Sequence, residues 1–173
     1  MTQHKVKDTK HSRASGLETI YTLFLALMIA LFFGLSISAF YIQPKEPEYP
    51  TILQVNSKGG TMTSEQLDAQ YNYDLATKSF QKEFSVYNRN VSIITLVLAI
   101  IALTVGLLFF ENIFVISNGL LLGGLFTLLY SMVRGFMSDN TQFRLIVVTV
   151  GLIVAIVLGY IKFIKPRRTQ ASD

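Results

Sequence analysis

Four long runs of apolar residues dominate the chain, and shorter polar segments separate them. The runs span residues 20–42, 91–110, 113–133 and 143–163. Each holds about 20 residues, which as an α-helix rising 1.5 Å per residue is enough to cross the roughly 30 Å hydrocarbon core of a membrane. No charged residue interrupts 19–42 or 145–161. The pattern predicts an all-α fold, an integral membrane four-helix bundle with four transmembrane spans.

The second and third spans are predicted to form a tight antiparallel hairpin. Only Glu111 and Asn112 separate them, and Glu111 is the one charged residue in the stretch 91–133. Backbone groups inside lipid need hydrogen-bond partners, so the irregular turn is expected at a membrane surface.

The distribution of Lys and Arg predicts the side of the membrane on which each loop lies. Eight positive residues lie in or beside the two tails, 1–19 and 164–173, whereas the segment 43–90 holds five positive and six negative residues. Because cytoplasmic loops carry the excess of positive charge, we expect both termini in the cytoplasm, with 43–90 and the loop 134–142 outside. Two arginines in and beside that loop count against its outer placement.

The first span has a second interpretation, as a cleaved signal peptide. A basic tail precedes it, and Ser36, Ser38 and Ala39 are small residues of the kind found at a cleavage site. The apolar run from Tyr21 to Ile42 is, however, longer than the about 7–15 residues of a signal core. A membrane span is therefore the preferred prediction.

The outward segment is predicted to change from extended chain to helix at about residue 64. Three prolines recur at every third residue: Pro44, Pro47 and Pro50. This spacing favours an extended, polyproline-like segment over 43–63, with a short strand from Thr51 to Val55. Thr63 and Gln66 have the spacing of a capping box, and neither Gly nor Pro follows for about 40 residues. We expect one helix over 64–110, about 70 Å long.

The outer part of this helix, residues 64–90, is termed the stalk, and its pattern is amphipathic. Apolar residues repeat along it at an average spacing of about 3.67, typical of one helix face: Ala69, Tyr73, Ala76, Phe80, Phe84, Tyr87 and Val91. A second, shorter apolar face comprises Leu67, Tyr71 and Leu75.

The aromatic residues of the longer stripe are the predicted partner-binding residues: Tyr73, Phe80, Phe84 and Tyr87. An exposed aromatic stripe is unfavourable in water, so something is expected to cover it. Three coverings are considered: the chain's own 43–62 segment, a helix of a partner or a second copy, and the membrane surface. The 43–62 segment is the first expectation, but it holds few large apolar residues, chiefly Ile52, Leu53 and Val55, so a partner helix or a second copy stays a close alternative.

Small residues form stripes along all four spans, and such stripes allow close helix packing in lipid. The predicted packing positions are Ala26, Ala30 and Gly34 in the first span, Gly119 and Gly123 in the third, and Gly151, Ala155 and Gly159 in the fourth. The second span carries small residues at alternating spacings of three and four, the seam of a left-handed pair: Ser92, Thr95, Ala99, Ala102 and Gly106. The stripes serve either packing within one bundle or contact with a second copy or another membrane protein.

The sequence carries no recognisable catalytic, cofactor or metal site. It has no Cys, and its two His residues, His4 and His11, both lie in the polar N-terminal tail. Nucleophile-elbow, phosphate-loop and dinucleotide motifs are absent. The net charge of +4 lies mostly in the tails and has no aromatic interleaving, so nucleic acid is not an expected partner. The cysteine-free composition favours a bacterial plasma membrane.

These patterns predict a non-catalytic structural or partner-binding subunit of a membrane assembly. The alternative is a small channel or carrier for a neutral or lipid-like substrate. No charged residue lies near the centre of a span, as ion-coupled transport generally needs. Hydroxyl side chains could line a neutral path: Thr22, Ser36, Ser38, Ser92, Thr95, Thr104, Thr127, Ser131 and Thr149.

Overall fold

The computed structural model describes residues 2–54, 62–108 and 114–164, and in this part of the chain the only regular structure is helical. The helices are α1 (Thr2–Phe40), α2 (Thr51–Gln54), α3 (Ser64–Leu108), α4 (Phe114–Phe136) and α5 (Thr141–Gly159). A π-helical turn, Tyr160–Ile164, continues α5. The predicted all-α class is confirmed. The predicted hairpin turn at Glu111 and Asn112 lies outside the described residues.

Four helices are long and apolar enough to cross a membrane by length and composition. The qualifying segments are Gly16–Phe40, Ser64–Leu108, Phe114–Phe136 and Thr141–Lys162. Three of them match the predicted spans 20–42, 113–133 and 143–163 to within a few residues at each end, and the fourth, Ser64–Leu108, contains the predicted span 91–110 together with the helix predicted to precede it, apart from its last two residues. Helix α4 continues to Phe136, which places Arg134 in its last turn rather than in the following loop.

Helix α3 is one unbroken helix of 45 residues, about 68 Å long at 1.5 Å per residue. It begins at the predicted capping box: the Thr63 N–H donates to Oε1 of Gln66 at 3.0 Å, and the Gln66 N–H donates to Oγ1 of Thr63 at 3.4 Å. These two bonds satisfy amide groups that the first helical turn leaves unpaired.

Two local elements differ from the prediction. Helix α1 begins at Thr2, so much of the tail predicted to precede the first span is helical. The predicted strand at Thr51 to Val55 was wrong, because Thr51–Gln54 forms a single helical turn. A strand needs a neighbouring strand for its backbone groups, whereas this turn bonds to itself and to α3: Leu53 N–H donates to the Pro50 carbonyl, and Gln66 Nε2 donates to the Ile52 carbonyl at 3.3 Å.

Helix α4 is the centre of the bundle, with α1 and α3 packed against it and α5 packed more lightly. Helices α1 and α4 run parallel, because Leu25 lies against Gly119 and Ile29, one turn later, lies against Gly123. Helix α3 runs antiparallel to α4.

Helix α5 also runs antiparallel to α4. Lys162 lies in the π-helical turn that continues α5, and its Nζ donates to Oδ1 of Asn118, near the start of α4, at 2.7 Å. The start of the apolar part of α1 and the end of α5 therefore lie at one end of the bundle. The stalk projects from the other end, which is termed the stalk end.

The seam between α3 and α4 has the alternating spacing expected of a left-handed pair. All five small residues predicted for the α3 side are buried: Ser92, Thr95, Ala99, Ala102 and Gly106. Leucines from each helix fill the space that glycines of the other leave, Leu103 against Gly124 and Leu121 against Gly106.

The interior of the bundle mixes apolar side chains with small polar ones. Leu103, Leu121 and Leu128 form an apolar cluster with Ala99, and among the described residues the fully buried polar side chains include Asn88, Thr95, Thr127, Ser92, Ser117, Ser131 and Ser138. Large apolar side chains are exposed in long series on α1 and α5, including Phe24, Leu31 and Leu35 on the first and Leu152, Ile153 and Ile156 on the second. Exposed apolar series of this length are unusual in a protein folded in water.

Candidate functional site

The part of the molecule with the most polar and aromatic chemistry is the stalk end, where α1, α3 and α4 meet. Two features lie there: a segment that runs along the stalk, and a cluster of side chains at the base of the stalk. We term residues 41–54 the strap and define the junction cluster as Tyr41, Tyr87, Asn88, Asn90, Tyr130 and Arg134.

The strap runs antiparallel along the stalk and faces it with every third residue. The facing residues are all buried or half-buried: Tyr41, Pro44, Pro47, Pro50 and Leu53. Every residue between them is exposed. A polyproline helix has three residues per turn, so one of its faces repeats at this spacing. The three prolines are therefore on the buried side of the strap, and Pro44 lines a hollow together with residues of the stalk.

The length of the strap matches the length of stalk beside it. One contact lies at Tyr41, whose ring stacks on Tyr87 with 5.2 Å between centroids, and the other at the Ile52 carbonyl, which accepts from Gln66. Between these contacts the helix rises about 32 Å, and a strap that is polyproline-like to Pro50 and helical from Thr51 would extend about 31 Å. About two thirds of the way from Tyr87 towards Gln66, Tyr49 meets Tyr73 edge-on at 5.2 Å.

The four aromatic residues predicted to bind a partner are all drawn into this arrangement. Phe80, Phe84 and Tyr87 form a stacked ladder, with centroid distances of 5.5 and 6.3 Å. Tyr73, Phe80 and Phe84 are half-buried. Tyr87, expected as an outward contact, is only 5% exposed because Tyr41 covers it. The chain's own strap is thus the observed cover at Tyr73 and Tyr87, through Tyr49 and Tyr41.

Arg134 holds the junction cluster together without an acidic partner among the described residues. Its Nε donates to the hydroxyl of Tyr130 at 2.9 Å, and its Nη1 donates to Oδ1 of Asn88 at 2.9 Å. The guanidinium also lies 5.8 Å from the Tyr87 ring centre and 5.3 Å from that of Tyr130. Such cation–π contacts stabilise a partly desolvated cation by about 0.5–2 kcal/mol.

Two further bonds complete the base of the stalk. Asn88 Nδ2 donates to the Phe84 carbonyl at 2.9 Å, and Asn90 Nδ2 donates to the Tyr41 hydroxyl at 2.7 Å. The cluster therefore joins α1, α3 and α4 through groups that bind and orient. It holds no nucleophile and base within hydrogen-bond reach of each other, the geometry that covalent catalysis requires.

One apolar face of the stalk is left uncovered by the strap. It is the shorter face: Leu67 is 56% exposed, Tyr71 64% and Leu75 48%. Charged residues border it, among them Asp68, Asp74 and Lys78, all exposed. An exposed apolar patch with a polar rim is typical of a protein interaction site.

The predicted packing glycines do not all lie at helix contacts. A Cβ on Gly123 would meet Cβ of Ile29 at 3.0 Å and the Ala26 carbonyl oxygen at 3.1 Å, and one on Gly119 would meet the Leu25 side chain. Gly151 lies against Met132, while Ala26 is fully buried and Ala30 half-buried.

The remaining three predicted packing positions have no such neighbours. Nothing lies within 4 Å of a Cβ placed on Gly34 or Gly159, and Ala155 is exposed. These positions make no close helix contact with the residues that the structure describes.

Hydroxyl groups in the bundle bond to backbone carbonyls. Ser92 and Ser131 each donate to the other's carbonyl at 2.8 Å, joining α3 to α4. Ser117 donates to the Gly106 carbonyl at 2.6 Å, and Thr127 donates to the Gly123 carbonyl within its own helix. These hydroxyls find hydrogen-bond partners on the backbone, and some of them link two helices, which is their common use in membrane proteins.

Among the residues that the structure describes, no group of three or more His, Cys, Asp or Glu is arranged to hold a metal ion. No protein-family model, no curated protein and no solved structure matches the chain, so its function is inferred from its own geometry.

Proposed function

We propose that the chain is a multi-pass protein of the bacterial plasma membrane, with both termini in the cytoplasm and the stalk outside. It acts as a non-catalytic structural or partner-binding subunit of a membrane assembly. The uncovered face of the stalk, Leu67, Tyr71 and Leu75, carries the proposal because it presents apolar area that the described part of the chain leaves exposed.

The outward-facing apolar side chains of α1 and α5 support the membrane placement. Apolar side chains can face lipid tails without a free-energy cost, whereas their exposure to water is unfavourable. The buried hydroxyls support it further, since Ser and Thr hydrogen bonds between helices are typical of membrane bundles. The positive residues of the two tails support a cytoplasmic location for the termini.

The strap and the junction cluster support a role in presenting the stalk. A single helix that leaves a bundle gains little from its neighbours, and the strap supplies contacts over about 32 Å of its length. Arg134 and Asn88 tie the base of the stalk to α4. The uncovered face is thereby held in a defined direction, which lowers the entropy lost when a partner binds.

Thiol labelling tests the topology, and the absence of native cysteine removes background. Single-cysteine variants Ser64→Cys and Asp139→Cys should react with a membrane-impermeant maleimide on intact cells. Ser12→Cys and Thr169→Cys should react only after permeabilisation. Labelling of a terminal cysteine on intact cells would contradict the proposed topology.

Site-specific photocrosslinking tests the partner-binding role. A benzoylphenylalanine at Tyr71 should give a discrete adduct with a second copy of the chain or with one membrane protein identified by mass spectrometry. The same group at Gln81, an exposed position on the same helix, is the matched control. Adding Leu67→Ala and Leu75→Ala should remove the Tyr71 adduct. Equal crosslinking from both positions, or none from either, would count against the proposal.

A further inference from the structure

Two open hollows lie one above the other where α1 separates from α3. The lower one has a volume of 290 Å³. It is lined by Ile37 and Phe40 of α1, by Tyr41, which follows α1, and by Ile94 and Leu98 of α3. The upper one, of 460 Å³, lies between the strap and the stalk. Tyr41 lines both hollows, and we term the two together the groove.

The chemistry of the lining changes at Tyr41. Below it, the only polar side chain besides Tyr41 is Ser36. Above it, α3 contributes Lys82 and Glu83, charges of opposite sign, together with Ser79. The groove is thus apolar at one end and charged at the other.

The change in polarity falls where the surface of the membrane is expected. Tyr41 lies 20 residues after Tyr21, about 30 Å along a helix, which is one hydrocarbon thickness. Tyrosines are enriched at this level. In a phospholipid, the acyl chains join the phosphate-bearing headgroup at the same depth.

We propose that this groove binds one phospholipid molecule, with an acyl chain in the lower hollow and the phosphate on Lys82. The proposal rests on the membrane placement proposed above. Glu83 disfavours further negative charge and suits an ammonium group, so a zwitterionic headgroup such as ethanolamine fits better than an anionic one. The bound lipid fills the space between α1 and α3, two helices that otherwise contact each other little.

Native mass spectrometry of the full chain, extracted in mild detergent, tests the acyl-chain site. Ile94→Trp should fill the lower hollow and reduce the fraction of protein carrying one phospholipid at least tenfold. Ile93→Trp is the matched control, because Ile93 is adjacent and similarly exposed, 45% against 40%, but does not line the hollow. Equal lipid retention by the two variants would mean ordinary boundary lipid only and would overturn the proposal.

Lipid exchange in nanodiscs tests the headgroup site. Wild-type protein should retain phosphatidylethanolamine over phosphatidylglycerol, and Lys82→Gln should lower retention several-fold. Lys78→Gln, one turn away and not in the lining, should leave retention unchanged. Identical behaviour of the two variants would overturn the assignment of Lys82. If thiol labelling gives the expected topology but no phospholipid is retained, the groove proposal alone fails.

Discussion

Adding one methyl group at Gly123 should weaken the contact between α1 and α4 by an amount that the structure allows to be estimated. The new Cβ would lie 3.0 Å from Cβ of Ile29 and 3.1 Å from the Ala26 carbonyl oxygen. Carbon atoms pack best at about 3.5–4.0 Å, so the helices must separate by roughly half an ångström. The Ala26 oxygen belongs to the backbone and cannot rotate away. Overpacking of this kind costs about 1–3 kcal/mol.

Gly34→Ala is the matched control for Gly123→Ala. Both substitutions add the same atoms within a helix, and both gain the same about 0.5–1 kcal/mol from helix propensity. Nothing lies within 4 Å of the Cβ at Gly34, so no packing cost opposes the gain. The difference between the two variants therefore isolates the packing term, and Gly123→Ala should be less stable by about 1–3 kcal/mol.

Unfolding in mixed micelles with increasing dodecyl sulfate, followed by the near-ultraviolet circular dichroism of the tyrosines, measures this difference. Gly119→Ala should fall between the two, because its Cβ meets the flexible end of Leu25 at 2.6 Å, which can rotate. Equal stability of Gly123→Ala and Gly34→Ala would refute the parallel seating of α1 on α4.

Two further substitutions test the junction cluster and the strap. Arg134→Lys keeps the charge but loses the planar fork that reaches two acceptors, so it should lower stability in the same titration by about 1–3 kcal/mol; Arg89→Lys, at an exposed position, should have no measurable effect. Pro47→Gly should lower the free energy that holds the strap on the stalk by about 1 kcal/mol, and so raise the rate of limited proteolysis in the strap about fivefold. The control is Glu48→Gly, since the side chain of Glu48 is exposed. Equal rates for the two variants would contradict the contact between strap and stalk.

Local sequence patterns were enough to predict the elements. Apolar runs of sufficient length produce helices in almost any surroundings that exclude water, and the capping pair Thr63 and Gln66 marks the start of α3 within one residue. The absence of Gly and Pro along the stalk predicted an unbroken helix, and α3 has no interruption from Ser64 to Leu108. These features depend on residues within a few positions of each other.

Which small-residue stripe meets a neighbour was not predictable from spacing. Positions four apart in a helix are offset by about 40°, so the stripe that starts at Gly119 has turned by about 160° when it reaches Gly135. Accordingly, Gly119 lies against α1, whereas Gly135 lies against Ser92 of α3. Gly34 belongs to a stripe with the same spacing, yet no described atom lies within 4 Å of a Cβ placed there.

The candidate site was only partly visible in the sequence. The aromatic stripe is evident from its spacing, but a count of large apolar side chains does not reveal its cover. Tyr41 and Tyr49 supply cover at Tyr87 and Tyr73, and the spacing of three from Tyr41 through the prolines to Leu53 is the signal that predicts the buried side of the strap. The apolar run ends at residue 133, which predicts a loop at Arg134, whereas α4 continues to Phe136. Nothing in the sequence indicates that Asn88, 46 residues earlier, accepts a hydrogen bond from Arg134.

The sequence by itself determined where the helices form and how much apolar surface each one presents, because both follow from the backbone period and the nearest side chains. Only the tertiary structure decided that α4 is central, that the strap lies on the stalk, and that Leu67, Tyr71 and Leu75 form the face left open. Those outcomes depend on which of several similar surfaces approach each other. That choice is made by close fits between residues far apart in the chain, such as Gly123 against Ile29, and no local pattern encodes them.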